Sequence, residues 1–311
     1  MARDLVCVMG IFVADLAFRT PRLPVWGETV LGSRFRTGPG GKGSNQAVAA
    51  ARLGGRTAFI SKLGRDAFGR MARELYAAEG IDASCVFETG EEATGGAAII
   101  VDDKGENAIV VVAGAAEKLT PEDIDRAEGL LGRSAMFMTQ LELPVPLVEH
   151  GLGLARRLGA ATVLNPAPAA PLPDSLLAQV DYLTPNETEA EALTGLRIAS
   201  IEDAAAAAEL LLARGAGTVV LTLGARGALV RNRELLRHVP AVDAGPVVDT
   251  TGAGDAFNGG FAVALAEGRD LVAAGEFACA VAGLSVTRPG TAPSMPKRAE
   301  VDALMKRKAV A

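Results

Sequence analysis

Seven consecutive residues, Asp249-Thr250-Thr251-Gly252-Ala253-Gly254-Asp255, carry the strongest chemical signal in this 311-residue chain. They place a glycine-rich turn beside a carboxylate, directly ahead of a helical pattern. That pairing suits phosphoryl transfer. Backbone N–H groups at a helix N-terminus hold anionic oxygens, and glycines let the main chain approach them without an intervening Cβ. The amides around Gly252, Ala253 and Gly254 would stabilise charge spread on a transferring group. Asp255 stands where it can take a proton from an attacking hydroxyl. A helix-compatible run, Ala256 to Leu265, follows and ends near Gly268.

Spacing excludes two better-known glycine motifs. A dinucleotide fingerprint requires G-x-G-x-x-G, but after Gly252 and Gly254 the next glycine is Gly259, two residues too late. Upstream, Gly38-Pro39-Gly40-Gly41-Lys42-Gly43-Ser44 has a Walker-like composition. A Walker lysine is followed directly by Ser or Thr, whereas Lys42 is followed by Gly43.

The elements that must position these residues alternate in type. Leu5–Met9 reads as a buried strand, Asn45–Leu53 as a helix closed by Gly54-Gly55, Thr57–Ser61 as a strand and Ala67–Glu79 as a helix. Ala135–Thr139 (strand), Pro146–Leu158 (helix), the short strands Ala161–Leu164 and Tyr182–Leu183, Glu202–Arg214 (helix) and Thr218–Thr222 (strand) continue the pattern. Such alternation predicts an α/β fold, a mainly parallel sheet covered by helices, with ligands bound beyond the strand ends. Two stretches break the rhythm. Residues 14–37 hold no clear helix, and 95–112 reads as a hairpin, with the turn Asp102-Asp103-Lys104-Gly105 between Ala97–Val101 and Asn107–Val112.

Composition narrows the function further. The chain is 49% hydrophobic and only 4% aromatic, so its core must be aliphatic. A net charge of −6 argues against a general nucleic-acid binder but not against a phosphate ligand. Cys7, Cys85 and Cys279 have neither metal-ligand nor redox spacing and read as reduced thiols of a cytoplasmic protein. The apolar run Leu5–Ala14 is too short to span a bilayer and has no convincing cleavage site. His150 and His238 lie away from every motif in sequence, which leaves a catalytic triad or metal-hydrolase reading without support.

The segments Gly40–Gly54 and Asp249–Gly260 together resemble the two signatures of the PfkB sugar kinases. Within that family the motif order is most similar to the ribokinases: Trp26-Gly27-Glu28-Thr29, Gln140-Leu141-Glu142, Asn165-Pro166-Ala167-Pro168-Ala169, Thr184-Pro185-Asn186-Glu187-Thr188-Glu189 and Thr222-Leu223-Gly224-Ala225-Arg226-Gly227. The resemblance implies a ribokinase-like three-layer sandwich of residues 1–311. Its two irregular stretches, about 14–37 and 95–112, would form a small β-sheet lid that also pairs subunits into a homodimer. It implies ATP as phosphoryl donor, Mg²⁺ with the nucleotide, and a sugar acceptor, most simply O5 of D-ribose. A 2-deoxy-D-ribose, other sugar or nucleoside kinase stays open. A non-catalytic binding relative would be marked by loss of Gly252, Gly254 or Asp255, and all three are present.

Roles carry over by position. Asp15, taken to end the first strand, would accept sugar hydroxyl protons, and Gly41, Lys42, Gly43 and Asn45 open the helix beneath the sugar. Glu142 joins the sugar site by family position alone. On the nucleotide side the resemblance implies Asn186 toward phosphate and Glu189 toward waters on Mg²⁺, although Asn186-Glu187-Thr188-Glu189 also reads as a helix N-cap with acidic first-turn residues. Thr222, Gly224, Ala225, Arg226 and Gly227 would carry the nucleotide. Cys279 occupies a helix position where ribokinases often present a polar residue to adenine, and it also reads as small core filler. Asp249, Thr251, Ser285, Arg288, Gly290 and Ser294 occupy the stretches that hold K⁺ in ribokinases, several through backbone carbonyls. One departure is Val13: many ribokinases carry Asn there, two residues before the sugar-binding Asp.

Overall fold

The computed structural model describes residues 3–310. Strand β1 (Leu5–Met9) shows how the core is built, because all of its residues are buried. Leu5, Cys7 and Met9 join one apolar cluster, while Val6 and Val8 join another on the opposite face. This is the two-residue period of a strand covered on both sides.

The chain continues through β2 (Val13–Arg19), β3 (Arg34–Gly40), β4 (Arg56–Gly64), β5 (Asp82–Thr89), β6 (Thr94–Val101) and β7 (Asn107–Gly114). It then forms β8 (Ser134–Gln140), β9 (Ala161–Asn165), β10 (Tyr182–Leu183), β11 (Thr218–Thr222), β12 (Ala228–Arg231) and β13 (Leu236–Val239). Nine strands make one sheet in the order β13-β12-β11-β10-β9-β8-β1-β4-β5. All pairings are parallel except the two made by β12. Helices Val145–Arg157 and Ile201–Ala213 cover one face; Lys42–Arg52, Ala253–Ala266 and Leu271–Ser285 cover the other. The expected three-layer sandwich is present.

Boundaries differ from expectation by a few residues, and two differences matter. The helix expected from Asn45 begins at Lys42, which brings Lys42 and Gly43 into its first turn. The helix expected from Ala256 begins at Ala253, which brings Asp255 into its first turn. The helix Leu271–Ser285 was expected around Cys279 from the resemblance alone, without bounds. Its sequence is apolar on nearly every side, as a buried helix must be, and so lacks the period that marks an amphipathic one.

The irregular stretches form a second sheet in the order β3-β2-β6-β7. Asp15 therefore lies on β2 of this small sheet rather than at the end of β1. The chain changes sheets at Gly10, where a Cβ would sit 2.8 Å from the Cα of Gly43. Only glycine lets the strand exit pass so close to the first turn of the helix Lys42–Arg52. The hairpin turn is held by Asp102, whose Oδ1 accepts from the N–H groups of Lys104 and Glu106, each at 2.9 Å. Phe18, Phe35, Ile109, Val110, Val111 and Val112 leave an exposed apolar surface on this sheet.

A second close approach sets the site. A Cβ on Gly259 would lie 2.6 Å from the Cβ of Ala49 and 2.8 Å from the carbonyl oxygen of Gln46. Small residues on both sides let the helices Lys42–Arg52 and Ala253–Ala266 touch along their backbones. Asn45 and Gln46 are thereby pressed toward Asp255.

Candidate active site

Asp255 occupies the third position of its helix and is 7% exposed. Its Oδ2 accepts from Asn45 Nδ2 at 3.0 Å, and its Oδ1 accepts from Gln46 Nε2 at 3.0 Å. Burial holds its pKa above the ordinary carboxylate value, opposed by the charge of Lys42 and by the two amide donors. Such a group is a better proton acceptor than an exposed aspartate.

The helix behind it has no side-chain cap. Gly252 is the N-cap residue at φ +79°, a conformation that favours glycine. The Ala253 N–H donates to the Thr250 carbonyl at 3.2 Å, so that amide is already engaged. Helix geometry leaves the next first-turn amides, those of Gly254 and Asp255, facing outward. A Cβ on Gly254 would meet nothing within 4 Å and would project into open space. That space belongs to a cavity of about 160 Å³ lined by Lys42, Asn186, Glu189, Gly252, Gly254 and Asp255 among others.

Behind Asp255 runs a buried chain of amides and hydroxyls. Gln140 Nε2 donates to Gln46 Oε1 at 2.6 Å, and Gln46 Nε2 also reaches Asn165 Oδ1 at 3.2 Å. Asn165 donates to the Thr184 carbonyl at 3.0 Å, Thr184 Oγ1 donates to Asn258 Oδ1 at 2.6 Å, and Asn258 returns to the Gly254 carbonyl at 2.9 Å. Gln46, Gln140, Asn165, Thr184 and Asn258 had no role in the sequence reading. Their signal was a polar side chain at a buried position inside an apolar run, as with Gln46 ahead of Ala47-Val48-Ala49-Ala50.

Lys42 stands among carboxylates. Its backbone N–H donates to Glu142 Oε2 at 2.9 Å, so Glu142 also serves the free N-terminus of the helix Lys42–Arg52. Burial pushes Glu142 up to about 7, against the lowering effect of Lys42. Burial likewise raises Asp15 to about 6, with Asp255 adding to the rise and the Thr291 hydroxyl opposing it. Glu189 is raised by burial as well. A carboxyl that binds its proton more tightly folded than unfolded contributes stability below its unfolded pKa and loses it as pH climbs through the folded value. For Glu142 that window runs from the ordinary glutamate value of 4.5 to about 7. Glu142→Gln is therefore expected to lose less melting temperature than the wild type between pH 5 and pH 7.5, by roughly a few degrees. Parallel curves in a thermal melt series would remove this role.

The other predicted positions separate by place. Asn186 caps the helix Glu187–Thr194 in a capping box with Glu189, so the N-cap reading holds. Thr222 bridges to Asn186 and lines the cavity; Gly224, Ala225 and Arg226 form the turn after β11, closed by Gly227, and do not line it. Arg226 ion-pairs with Glu187 and donates to the Ala199 carbonyl at 2.9 Å. His238, remote in sequence, approaches the carbonyl of Arg226 at 2.7 Å, which corrects its isolation from the motifs. His150 pairs with Asp125 at 2.8 Å on the far helix. Cys279 is 5% exposed on the helix Leu271–Ser285. Val13 is 3% exposed and packs in the apolar core.

The segments expected to hold a cation do come together. The Asp249 carboxylate accepts from the N–H groups of Thr251 and Gly290, each at 2.9 Å, and so joins the two loops. Ser285 and Ser294 donate to the carbonyls of Ala282 and Thr291, each at 2.8 Å. Arg288 is paired with Glu300, which leaves its backbone carbonyl rather than its side chain for such a site. Among the described residues no cluster of three or more His, Cys, Asp or Glu side chains is arranged to hold a metal.

Known proteins share this sequence and fold. The pfkB family carbohydrate kinase model matches residues 3–298. A ribokinase of Haemophilus influenzae is 41% identical over 298 residues, covering 96% of this chain and 97% of that protein. A deoxyribokinase of Salmonella typhi is 38% identical over 292 residues, covering 94% and 95%. The Arabidopsis thaliana ribokinase solved with ribose and ATP superposes with a TM-score of 0.91 at 33% identity, covering 98% of this chain and 99% of that one.

Proposed function

This chain belongs to the pfkB family of carbohydrate kinases, and on that premise we propose that it transfers the γ-phosphoryl group of ATP to the primary 5-hydroxyl of D-ribose. The observation that carries the reading is Asp255, a buried carboxylate with one amide donor on each oxygen, beside an uncapped helix N-terminus. Each of its oxygens keeps a lone pair for a substrate proton.

In this reading Asp15 and the first turn around Gly41, Lys42, Gly43 and Asn45 hold the sugar, with Glu142 fixing that turn. The hydroxyl proton passes to Asp255 as the new oxygen–phosphorus bond forms and the bond from the γ-phosphorus to the ADP oxygen breaks. The N–H groups of Gly254 and Asp255, with the ammonium of Lys42, meet the charge that spreads over the transferring group. Asn186, Glu189, Thr222 and the turn Gly224–Gly227 take the nucleotide. Closure of the small sheet over the sugar would exclude water and limit ATP hydrolysis.

Mg²⁺ would come with the ATP phosphates, because it binds through few carboxylates and keeps several waters. Glu189, at the cavity wall, is the residue to order those waters, and the ion would neutralise phosphate charge. K⁺ would sit between the loops that Asp249 joins, held by carbonyls of the stretch Ser285 to Ser294. The exposed apolar face of the small sheet supports a homodimer formed there. The scattered cysteines support a reducing cytoplasm as the enzyme's compartment. No helix among the described residues is long and apolar enough to cross a membrane.

A second reading, 2-deoxy-D-ribose as the preferred sugar, is favoured by the apolar Val13, which cannot add a polar contact to the ribose hydroxyls. One panel tests both. Phosphorylation of pentoses, hexoses and nucleosides with ATP is expected to give the highest kcat/KM with D-ribose, with 2-deoxy-D-ribose second. The same assay at matched ionic strength should run faster in K⁺ than in Na⁺ or choline. Activity confined to nucleosides or hexoses would overturn the pentose assignment, and equal rates in the three salts would remove the cation site.

A further inference from the structure

Thr291 lies within the stretch Ser285 to Ser294 but has no role of its own in the sequence, and it touches three parts of the site. Its Oγ1 is 3.0 Å from the carbonyl oxygen of Pro39 on β3 and 3.4 Å from Asp15 Oδ2. Its Cα lies 3.3 Å from where a Cβ on Gly252 would be, so its main chain packs on the N-cap residue of the helix carrying Asp255. The opposite side of the Asp15 carboxylate rests on Gly40, where a Cβ would fall 2.2 Å from Oδ1. Asp15 is thus confined between a backbone that must be glycine and a single hydroxyl.

That hydroxyl has one proton and two lone pairs. Pro39 offers only an acceptor, and so does Asp15 when ionised. The proton therefore serves one of them at a time. A protonated Asp15 can donate to Thr291 while Thr291 donates to Pro39. An ionised Asp15, the form that accepts sugar hydroxyls, draws the Thr291 proton to itself.

We propose that Thr291 is a positioning residue for the sugar: its hydroxyl aims the Asp15 carboxylate and ties the end of β3 to the loop packed on Gly252. This rests on the sugar-kinase reading above. Both polar contacts are to the small sheet, and neither is to the nucleotide residues, so the effect falls on sugar binding. The other charged groups in the field of Asp15 are Asp255 on the helix Ala253–Ala266 and Glu142 after β8, and Lys42 acts on both of these.

The test compares Thr291→Val, which removes the hydroxyl at nearly constant shape, with Thr291→Ser, which keeps it. Thr291→Val is expected to raise KM for D-ribose about tenfold, the effect of one lost hydrogen bond at the upper end of its usual range, while kcat and KM for ATP stay within about twofold. The acid limb of kcat/KM for ribose should move to higher pH, because a donor that favours ionised Asp15 is gone. Thr291→Ser should restore both values. Thr291→Ala should show the same split as Val, and serves where the Val variant does not fold. An active wild type with unchanged ribose KM and acid limb in the Val and Ala variants overturns the proposal. So does an equal loss in both KM values. A wild type silent on every pentose would instead overturn it together with the sugar reading.

Discussion

Asp255→Asn is expected to lower kcat by roughly 10²–10⁴, the usual range for a positioned base, while the protein still folds and binds ATP. The fold should tolerate the change for a specific reason. The new side chain presents one carbonyl oxygen and one NH₂ to two amide donors, Asn45 Nδ2 and Gln46 Nε2. Gln46 cannot turn over, because its Oε1 accepts from Gln140. Asn45 can, since its buried Oδ1 has no hydrogen-bond partner among the described residues. Rotating the Asn45 amide gives the new NH₂ an acceptor. Replacing a carboxylate that burial already disfavours also removes a desolvation cost, so the melting temperature should stay within a few degrees or rise. Turnover, ATP affinity and melting on one preparation check this. Near-wild-type turnover would sink Asp255 as the base.

Much of the framework was legible because it rests on local pattern. The buried run Leu5–Met9, the glycine-rich turn before Asp255 and the hairpin around Gly105 all announce themselves within a few residues. What the chain did not announce depends on distance across the fold. Gly259 and Ala49 are both unremarkable in sequence, yet their contact presses Gln46 against Asp255. Asp15 was read at the end of β1, but Gly10 turns the chain into a second sheet before it arrives. The helix Leu271–Ser285 was legible only through the resemblance at Cys279, because an apolar character on nearly every side erases periodicity. Thr291 gave no signal at all, since a threonine in a Pro-rich loop reads as turn filler until β3 and Asp15 are brought to it. The roles of Glu142 and Glu189 came from family position. Their physical basis, helix N-termini beside a shared lysine, appears only in three dimensions.

Lys42→Met should be the second severe variant, with kcat lowered by roughly 10²–10³, the range for loss of one preorganised donor to a developing charge. Met keeps an unbranched stem of similar reach, so the change removes charge more than volume. Two effects are expected, and pH separates them. Lys42 lowers the pKa of Asp255, Glu142 and Glu189, so its loss lets burial raise all of them further. Because the base must be ionised to accept a proton, the acid limb of kcat should shift to higher pH, and this share of the defect should disappear in alkaline buffer. The remaining share, loss of the ammonium beside the transferring phosphoryl, should persist at every pH. Lys42→Arg is expected to restore the acid limb, since the charge returns, but only part of the rate, because a planar guanidinium does not reproduce a compact ammonium. An unmoved limb would show that the Lys42 charge does not reach Asp255. Full recovery of Lys42→Met at high pH would confine its role to tuning the base and remove it from the phosphoryl group.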